Sequence, residues 1–218
     1  MATTKVKIFC DAYLFCLGKE RKDVGNALNN ADVQYADGRS VRILTGWHYC
    51  TGSDYFERVL RASRESGSVH YFYGGTQTML ENLTTAVRDK YGAAIAGSFS
   101  PPMTKELSWP VESAVLDVLE KRPVDYFWVF LGGGKQEVWA DQNRDKLPVR
   151  EVLCVGAVLR FYSGAEKRAP RAFRNLGLEW LYRTIVADAP RAKRNLRYLL
   201  KMSGHLVRHG LRRIFRNS

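Results

Sequence analysis

The sequence predicts an α/β fold: a Rossmann-like, mostly parallel sheet with flanking helices, followed by a basic amphipathic C-terminal helical appendage. Short apolar runs typical of strands alternate with helical stretches through the first 160 residues, as in parallel β–α–β units. Two of these runs end in glycines that precede a helix. The last residues instead carry apolar side chains at helical spacing among arginines. We therefore predict an α/β domain over residues 1–180 and a helical appendage over residues 181–218.

The strands and helices of the α/β domain are predicted from apolar runs and capping residues. The predicted strands are residues 31–36, 69–73, 125–131 and 151–158, with a short apolar run at 93–96. The predicted helices are residues 55–64, 76–91, 112–121 and a helix that begins near Lys135. Ser53 or Asp54 is expected to cap the first of these helices and Thr76 the second. Strands that alternate with helices imply right-handed crossovers.

The tail from Arg191 onward is predicted to form a basic amphipathic helix, either continuous or broken at Gly204 or Gly210. Its apolar residues recur mostly three, four or seven apart and are Leu196, Leu199, Leu200, Val207, Leu211, Ile214 and Phe215. Residues 160–218 contain 15 Lys and Arg against 3 Asp and Glu, whereas residues 1–159 are neutral. The net charge of +12 therefore lies in the tail, which predicts an anionic partner: a membrane surface, a diphosphate or a nucleic acid.

The sequence predicts a cytoplasmic protein. The first residues lack the pattern of a secretory signal peptide, and no apolar run approaches the roughly 20 residues that span a bilayer. The four cysteines show no metal-ligand spacing and no close pair, so we interpret them as free thiols in a reducing compartment. His205 and His209 are one helical turn apart but have no carboxylate partner nearby in sequence, so no metal site is expected.

Two segments, HYFYGGTQTM and WVFLGGGKQE, place glycines between a strand and a helix. Such turns let a phosphate or sugar approach the backbone and the N-terminus of the helix, but they are equally explained as tight β–α turns. Gln136 and Glu137, which follow the second turn, are expected either to bind a ligand or to be solvated residues of the first helical turn. Neither segment has the spacing of a P-loop or of G-x-G-x-x-G.

Acidic and basic side chains supply the other candidates for chemistry. Asp37 follows a strand and precedes Gly38, so it is either an ordinary turn residue or a general base whose pKa is raised by desolvation. Several basic side chains between residues 164 and 194 suit a diphosphate, or else form a solvated helix surface. They are Lys167, Arg168, Arg171, Arg174, Arg183, Arg191 and Arg194.

Several segments between residues 31 and 194 resemble the WecG/TagA/CpsF glycosyltransferases, also called glycosyltransferase family 26, in the order of that family. ADVQYADG is similar to its ADlvlpDG, and TGSD matches directly. YFYGGTQ is similar to ffLGG, GSFSPP to GtysPP, and LGGGKQE to lGaPkQE. SGAEKRAP followed by LGLEWLYR is similar to aGxxkRAPxxxxxlgLEWlyR, which is the most specific of these.

The resemblance implies an inverting transfer from a UDP-sugar to a polyprenyl-diphosphate-linked saccharide, with no cofactor and no bound metal. It implies a role in bacterial cell-surface or exopolysaccharide biosynthesis. It also implies an appendage that docks on an anionic membrane surface, so that the protein would be cytoplasmic and peripheral on the inner face of the cell membrane. No nucleic-acid partner is implied, and a homo-oligomer is left open.

Site residues are carried over from the family's segments by position. Asp37 falls at the family's general base, and Gln136 and Glu137 fall at the Gln-Glu of its nucleotide-sugar pocket. Arg183 falls at the arginine of EWlyR, and Arg191 and Arg194 at the appendage arginines, which would offset charge on the UDP leaving group. Further substrate contacts are expected at Gly38, Thr51, Gly52, Asp54, Gly74, Gly75, Gly132, Lys135 and Arg168.

The chain departs from the family's pattern at four places. Phe9-Cys10-Asp11 stands where the family has TPN, Gly133-Gly134 replaces Ala-Pro, and Leu159-Arg160 replaces Phe-Asp. The spacing between Arg183 and Pro190 is also longer by about two residues, which bears on the positions assigned to Arg191 and Arg194. One alternative is therefore a catalytically degenerate member that acts as a membrane-bound scaffold. Another is a nucleic-acid-binding protein with a basic arm. Only Tyr198 and Phe215 are aromatic after Arg183, so the tail offers few platforms for bases, and its leucines favour lipid.

Overall fold

The computed structural model describes residues 3–170, 173, 182, 184–185 and 189–216, with the backbone alone at 189–191 and 211–216. The strands are β1 (Lys5–Cys10), β2 (Val33–Ala36), β3 (Val69–Gly74), β4 (Ala94–Phe99), β5 (Val124–Phe130) and β6 (Val149–Cys154). The helices before residue 170 are α1 (Ala12–Glu20), α2 (Lys22–Asn30), α3 (Arg39–Thr45), α4 (Gly52–Ser66), α5 (Gln77–Tyr91), α6 (Ser113–Lys121), α7 (Lys135–Asn143) and α8 (Val158–Tyr162). The C-terminal helix is Ala189–Arg216.

The six strands form one parallel sheet in the order β2-β1-β6-β5-β3-β4. One apolar cluster covers one face of this sheet and takes side chains from α1, α2, α6 and α7. A second cluster covers the other face with side chains from α4, α5 and α8. Helices therefore lie on both faces, and the predicted Rossmann-like α/β fold with a C-terminal helix is confirmed.

Most predicted elements are present, but two details are wrong. The strand predicted over 151–158 ends at Cys154, and Val158 instead begins α8 after a turn in which its N–H bonds to the Val155 carbonyl at 2.9 Å. The cap of α4 is Thr51, whose Oγ1 accepts from the Asp54 N–H, rather than Ser53 or Asp54. Thr76 caps α5 as predicted, through the N–H of Met79.

The C-terminal helix docks on the α/β domain along one side and exposes another. Met202 is 2% exposed within the first apolar cluster, and Tyr198 and Leu206 pack against that cluster. On the side away from this contact, Leu196, Leu200 and Val207 are more than half exposed. The helix continues through Gly204 and Gly210, so a break at either glycine is excluded. Among the described residues, no helix combines the length and apolarity needed to cross a bilayer.

Candidate active site

The candidate site lies along the edge of the sheet where the strands end. Because all six strands are parallel, their carboxyl ends share one edge, where ligands of open α/β sheets bind. Asp11 follows β1 at this edge, and Asp37 follows β2. The two glycine turns follow β3 and β5, and Gly156 follows β6.

Asp37 is held between β1 and the start of α4. Its N–H donates to the Cys10 carbonyl at 2.9 Å, and its Oδ2 accepts from the Gly52 N–H at 3.2 Å. The next residue, Gly38, has a φ of 150°, which favours glycine, and begins α3 as its cap. The carboxylate is therefore fixed beside the TGSD segment rather than left on a free turn.

The TGSD segment and the SGAEKRAP segment meet through an ion pair. The Thr51 hydroxyl donates to Asp54 Oδ2 at 2.7 Å, and Arg168 Nη2 donates to Asp54 Oδ1. Arg168 Nη1 also lies 3.7 Å from Glu57 Oε2. A side chain of the basic segment is thus brought to α4, so that two of the segments behind the resemblance contact each other. Arg183, which ends the LGLEWLYR segment, lies outside the described residues.

The glycine turn after β3 is explained by packing between parts of the protein. A Cβ added to Gly74 would lie 2.8 Å from the backbone of Phe130, and one added to Gly75 would lie 2.1 Å from Leu159 Cδ2. Both glycines also have positive φ angles, of 112° and 70°. The close approach of β5 and α8 therefore accounts for this pair without a ligand.

The turn after β5 combines tight packing with one open position. An added Cβ would meet Tyr13 at 3.3 Å if placed on Gly133 and Leu17 at 2.7 Å if placed on Gly134. Gly132, with a φ of 88°, has no atom within 4 Å of such a Cβ among the residues that the structure describes. Within this turn, Gly132 therefore has the most room for a ligand to approach the backbone.

Gln136 and Glu137 are buried, so the alternative that they are solvated residues of the first helical turn is excluded. Their exposed fractions are 4% and 0%. Glu137 Oε2 accepts from the Gly134 N–H at 2.6 Å, and its Oε1 accepts from Gln136 Nε2 at 2.7 Å. Gln136 Oε1 in turn accepts from the Gly156 N–H at 3.0 Å. This pair ties the turn after β5 to the turn after β6.

Lys135 turns away from the sheet toward the loop that follows β4. Its ammonium donates to the Thr104 carbonyl and lies 5.8 Å from the centre of the Trp109 ring. Trp109 Nε1 donates to the Tyr73 hydroxyl at 2.9 Å, which anchors the loop to β3. The ammonium group of the predicted substrate-binding lysine is thus fixed to this loop.

Three carboxylates act on the Cys10 thiol at the end of β1. Burial raises the pKa of Cys10 well above its usual range, and the negative charges of Asp11, Glu137 and Asp37 raise it further. The bond from the Asp37 N–H to the Cys10 carbonyl places the residue after β2 beside the end of β1. The acidic residue after β2 and the acidic residue of α7 therefore both follow strands that end at the same edge of the sheet.

Two residues at the start of α1, its cap Asp11 and Tyr13, were not predicted as site residues. Asp11 caps α1 by accepting from the Leu14 N–H at 2.9 Å. Tyr13 lies between the turn after β5 and Arg194, whose Cζ is 4.8 Å from the centre of the Tyr13 ring. The side chain of Arg191, the other predicted appendage arginine in the C-terminal helix, lies outside the described residues. In the sequence, an aspartate at a strand end with an aromatic residue two positions later is the signal that could have pointed to this pair.

Substituting Glu137 should change how stability depends on pH. Burial raises the pKa of Glu137 to about 7, so the folded state holds a proton that the unfolded state releases near 4.5. Its contribution to the free energy of unfolding is therefore present at low pH and lost as pH rises toward 7, a fall of about 3 kcal/mol. His70 opposes this, since burial lowers its pKa to about 4 and makes the folded state more stable as pH rises toward 6.5.

In the wild type, the opposing effects of Glu137 and His70 should keep the free energy of unfolding nearly constant between pH 4.5 and 6.5. In Glu137→Gln only the effect of His70 remains, so we expect its free energy of unfolding, measured with denaturant, to increase over this range. The slope is compared rather than the absolute stability, because an amide at this position also faces the Gly134 N–H. Parallel pH profiles for the two proteins would show that Glu137 is ionised throughout the range.

Among the described residues, no group of three or more His, Cys, Asp or Glu side chains is arranged to hold a metal ion. The site is instead an edge of acidic groups, with one open glycine turn and arginines nearby. A family model described as "Glycosyl transferase WecG/TagA/CpsF family" matches residues 2–216. The resemblance noted from the sequence segments is confirmed over nearly the whole chain.

Proposed function

The chain belongs to the WecG/TagA/CpsF glycosyltransferase family, and from this premise we propose that it transfers a sugar from a UDP-sugar to a polyprenyl-diphosphate-linked saccharide. The family is one of glycosyltransferases that act in cell-surface polysaccharide biosynthesis. Our proposal adds the identity of the nucleotide, the lipid-linked acceptor and the inversion of anomeric configuration. The observation that carries it is the position of Asp37 on the same sheet edge as Glu137 and the turn after β5.

Asp37 is the proposed general base. An acceptor hydroxyl attacks the anomeric carbon of the donor from the side opposite to UDP, and Asp37 takes the hydroxyl proton as the new C–O bond forms. The bond between the anomeric carbon and the phosphate oxygen breaks, and its electron pair leaves with UDP. The bond from the Gly52 N–H to Asp37 Oδ2 holds the carboxylate in place at the sheet edge, where the acceptor hydroxyl is proposed to approach it.

Arginines are the proposed partners of the departing diphosphate. Guanidinium groups suit phosphate oxygens and offset the charge that develops as the donor bond breaks. The position of Arg194 beside Tyr13 and the open turn at Gly132 support this role for Arg194. Arg183 and Arg191 are proposed by their positions in the family's segments alone. Arg168 is proposed to act more indirectly, because its ion pair with Asp54 fixes the start of α4.

The C-terminal helix is proposed to rest on the anionic inner face of the cell membrane. Its docked side leaves Leu196, Leu200 and Val207 exposed, and these residues lie among basic side chains of the same helix. An amphipathic helix of this kind lies in the membrane interface with its apolar side chains inserted. This position would keep the sheet edge close to a polyprenyl-linked acceptor.

The assay that tests the proposal uses purified protein, a panel of UDP-sugars and a short-chain polyprenyl-diphosphate-GlcNAc acceptor. We expect release of UDP and a lipid-linked product with one more sugar, with inverted anomeric configuration by NMR. EDTA should change the rate by less than twofold, because arginines rather than a metal would stabilise the leaving group. A strict requirement for Mg²⁺ or Mn²⁺ contradicts the proposed role of the arginines. UDP binding without turnover on any donor would instead support the degenerate scaffold.

A further inference from the structure

We propose that Tyr13 is a positioning residue that holds Arg194 of the C-terminal helix against the turn after β5. The inference rests on the proposed function, because the turn matters only if a nucleotide diphosphate binds beside it. It deepens that proposal by assigning a role to a residue that the segments behind the resemblance do not include. Tyr13 is the second residue of α1, directly after the cap Asp11 and Ala12.

The first observation is the contact between Tyr13 and the turn. Tyr13 Cε1 would lie 3.3 Å from a Cβ on Gly133, which is closer than most real Cβ contacts. The ring therefore packs directly on the backbone of Gly133. A larger residue there would push the ring away, so glycine at this position and tyrosine on α1 fit each other.

The second observation is the contact between Tyr13 and Arg194. The guanidinium carbon lies 4.8 Å from the ring centre, within the range of a cation–π interaction. Burial raises the pKa of Tyr13, and the positive charge of Arg194 opposes that rise. Arg194 is itself exposed on the helix, so the ring limits where an otherwise mobile side chain rests.

The third observation is that the C-terminal helix is fixed to the same ring. Tyr198, one helical turn after Arg194, meets Tyr13 edge to face with ring centres 4.8 Å apart. Cys16 Sγ of α1 also contacts the Tyr198 carbonyl at 4.0 Å. One aromatic side chain thus touches the turn, the arginine and the helix that carries the arginine, so it sets the distance between Arg194 and the turn.

The expected consequence is tighter binding of a nucleoside diphosphate. An arginine held in place loses less side-chain freedom when it contacts phosphate oxygens than one that moves freely. A cation–π contact at a partly exposed site corresponds to a change of about two- to fivefold in an equilibrium constant. The effect should appear in the Kd for UDP and the KM for the UDP-sugar, while kcat changes less.

The test measures UDP binding by isothermal titration with the full chain. We expect Tyr13→Leu to raise the Kd about two- to fivefold and Tyr13→Phe, which keeps the ring, to restore the wild-type value. Phe15→Leu is the matched control, because Phe15 is another aromatic of α1 that contacts the C-terminal helix, through His205 at 5.7 Å. Among the described residues, the side chains nearest to a Cβ on Gly133 or Gly134 are instead Tyr13, Leu17 and Val24. Phe15→Leu should leave the Kd unchanged.

A double-mutant cycle separates positioning from general packing. Arg194→Leu alone should weaken UDP binding, and adding Tyr13→Leu to it should cause no further loss, because the ring then has no arginine to hold. Because Arg194 is exposed, Arg194→Leu should fold normally, and it still tests the inference if Tyr13→Leu fails to fold. Additive losses, or wild-type affinity in Arg194→Leu, overturn the inference. A wild-type protein that does not bind UDP overturns the proposed donor as well, whereas unchanged binding in Tyr13→Leu overturns the positioning role alone.

Discussion

The Asp37→Asn protein is expected to bind UDP as tightly as the wild type and to transfer sugar about a thousandfold more slowly, within the range of a lost general base. Asparagine keeps an oxygen that can accept from the Gly52 N–H, so the local structure should survive. It cannot take the proton of the acceptor hydroxyl. Steady-state rates with the preferred UDP-sugar and acceptor, compared with titration of UDP, separate the two effects.

Asp32→Asn is the matched control for that experiment. Asp32 precedes β2, whereas Asp37 follows it, so the two carboxylates lie at opposite ends of the same strand. Asp32 also accepts from a backbone N–H, that of Val6 at 2.8 Å. We expect the control to transfer sugar at a rate within about twofold of the wild type at a temperature where it is folded. Near-normal turnover in Asp37→Asn would exclude Asp37 as the base.

Replacing Leu196, Leu200 and Val207 with Gln is expected to weaken binding to vesicles that contain phosphatidylglycerol about a hundredfold. These side chains are exposed, so the change should leave the fold intact. Partial insertion of each contributes about 1 kcal/mol of apolar transfer, and three contribute about 3 kcal/mol. Sedimentation of protein with vesicles at several lipid concentrations measures the loss.

This design is cleaner than deleting residues 191–218, because a deletion also removes Met202 from the core. Met202→Ala provides the comparison. It should lower the free energy of unfolding by about 2 kcal/mol or more, as for other buried methionines, while the folded protein still binds vesicles. Undiminished sedimentation of the triple variant would show that another surface contacts the membrane.

Apolar runs and glycine turns made most of the sheet predictable, but the first helices were not assigned from the sequence. In α1 and α2, Gly18 and Gly25 stand inside the helices, where glycine usually argues against a helix. A Cβ on Gly18 would lie 2.6 Å from Leu28, and one on Gly25 would lie 2.6 Å from the Gly18 carbonyl. The glycines permit two helices to pack closely, which is a tertiary requirement that local propensity does not reveal.

The candidate site shows the same division between local and tertiary signals. The positions of Asp37 and the glycine turns at strand ends followed from the order of elements. The burial of Gln136 could not be predicted in this way, because its side chain accepts a hydrogen bond from the Gly156 N–H, 20 residues away in sequence. Similarly, Arg168 and Asp54 are 114 residues apart, and no spacing rule predicts that they pair. Family resemblance identified both segments without revealing their contact.

The position of β1 inside the sheet has a consequence for protein synthesis. Lys5–Cys10 pairs with β2 on one side and with β6, Val149–Cys154, on the other. On the ribosome, the first strand therefore emerges long before its second neighbour. At typical translation speeds this delay is on the order of ten seconds, during which one edge of β1 has no strand beside it. A nascent chain of this kind is expected to need chaperone protection until residue 154 has left the exit tunnel, and the sheet then closes in one late step.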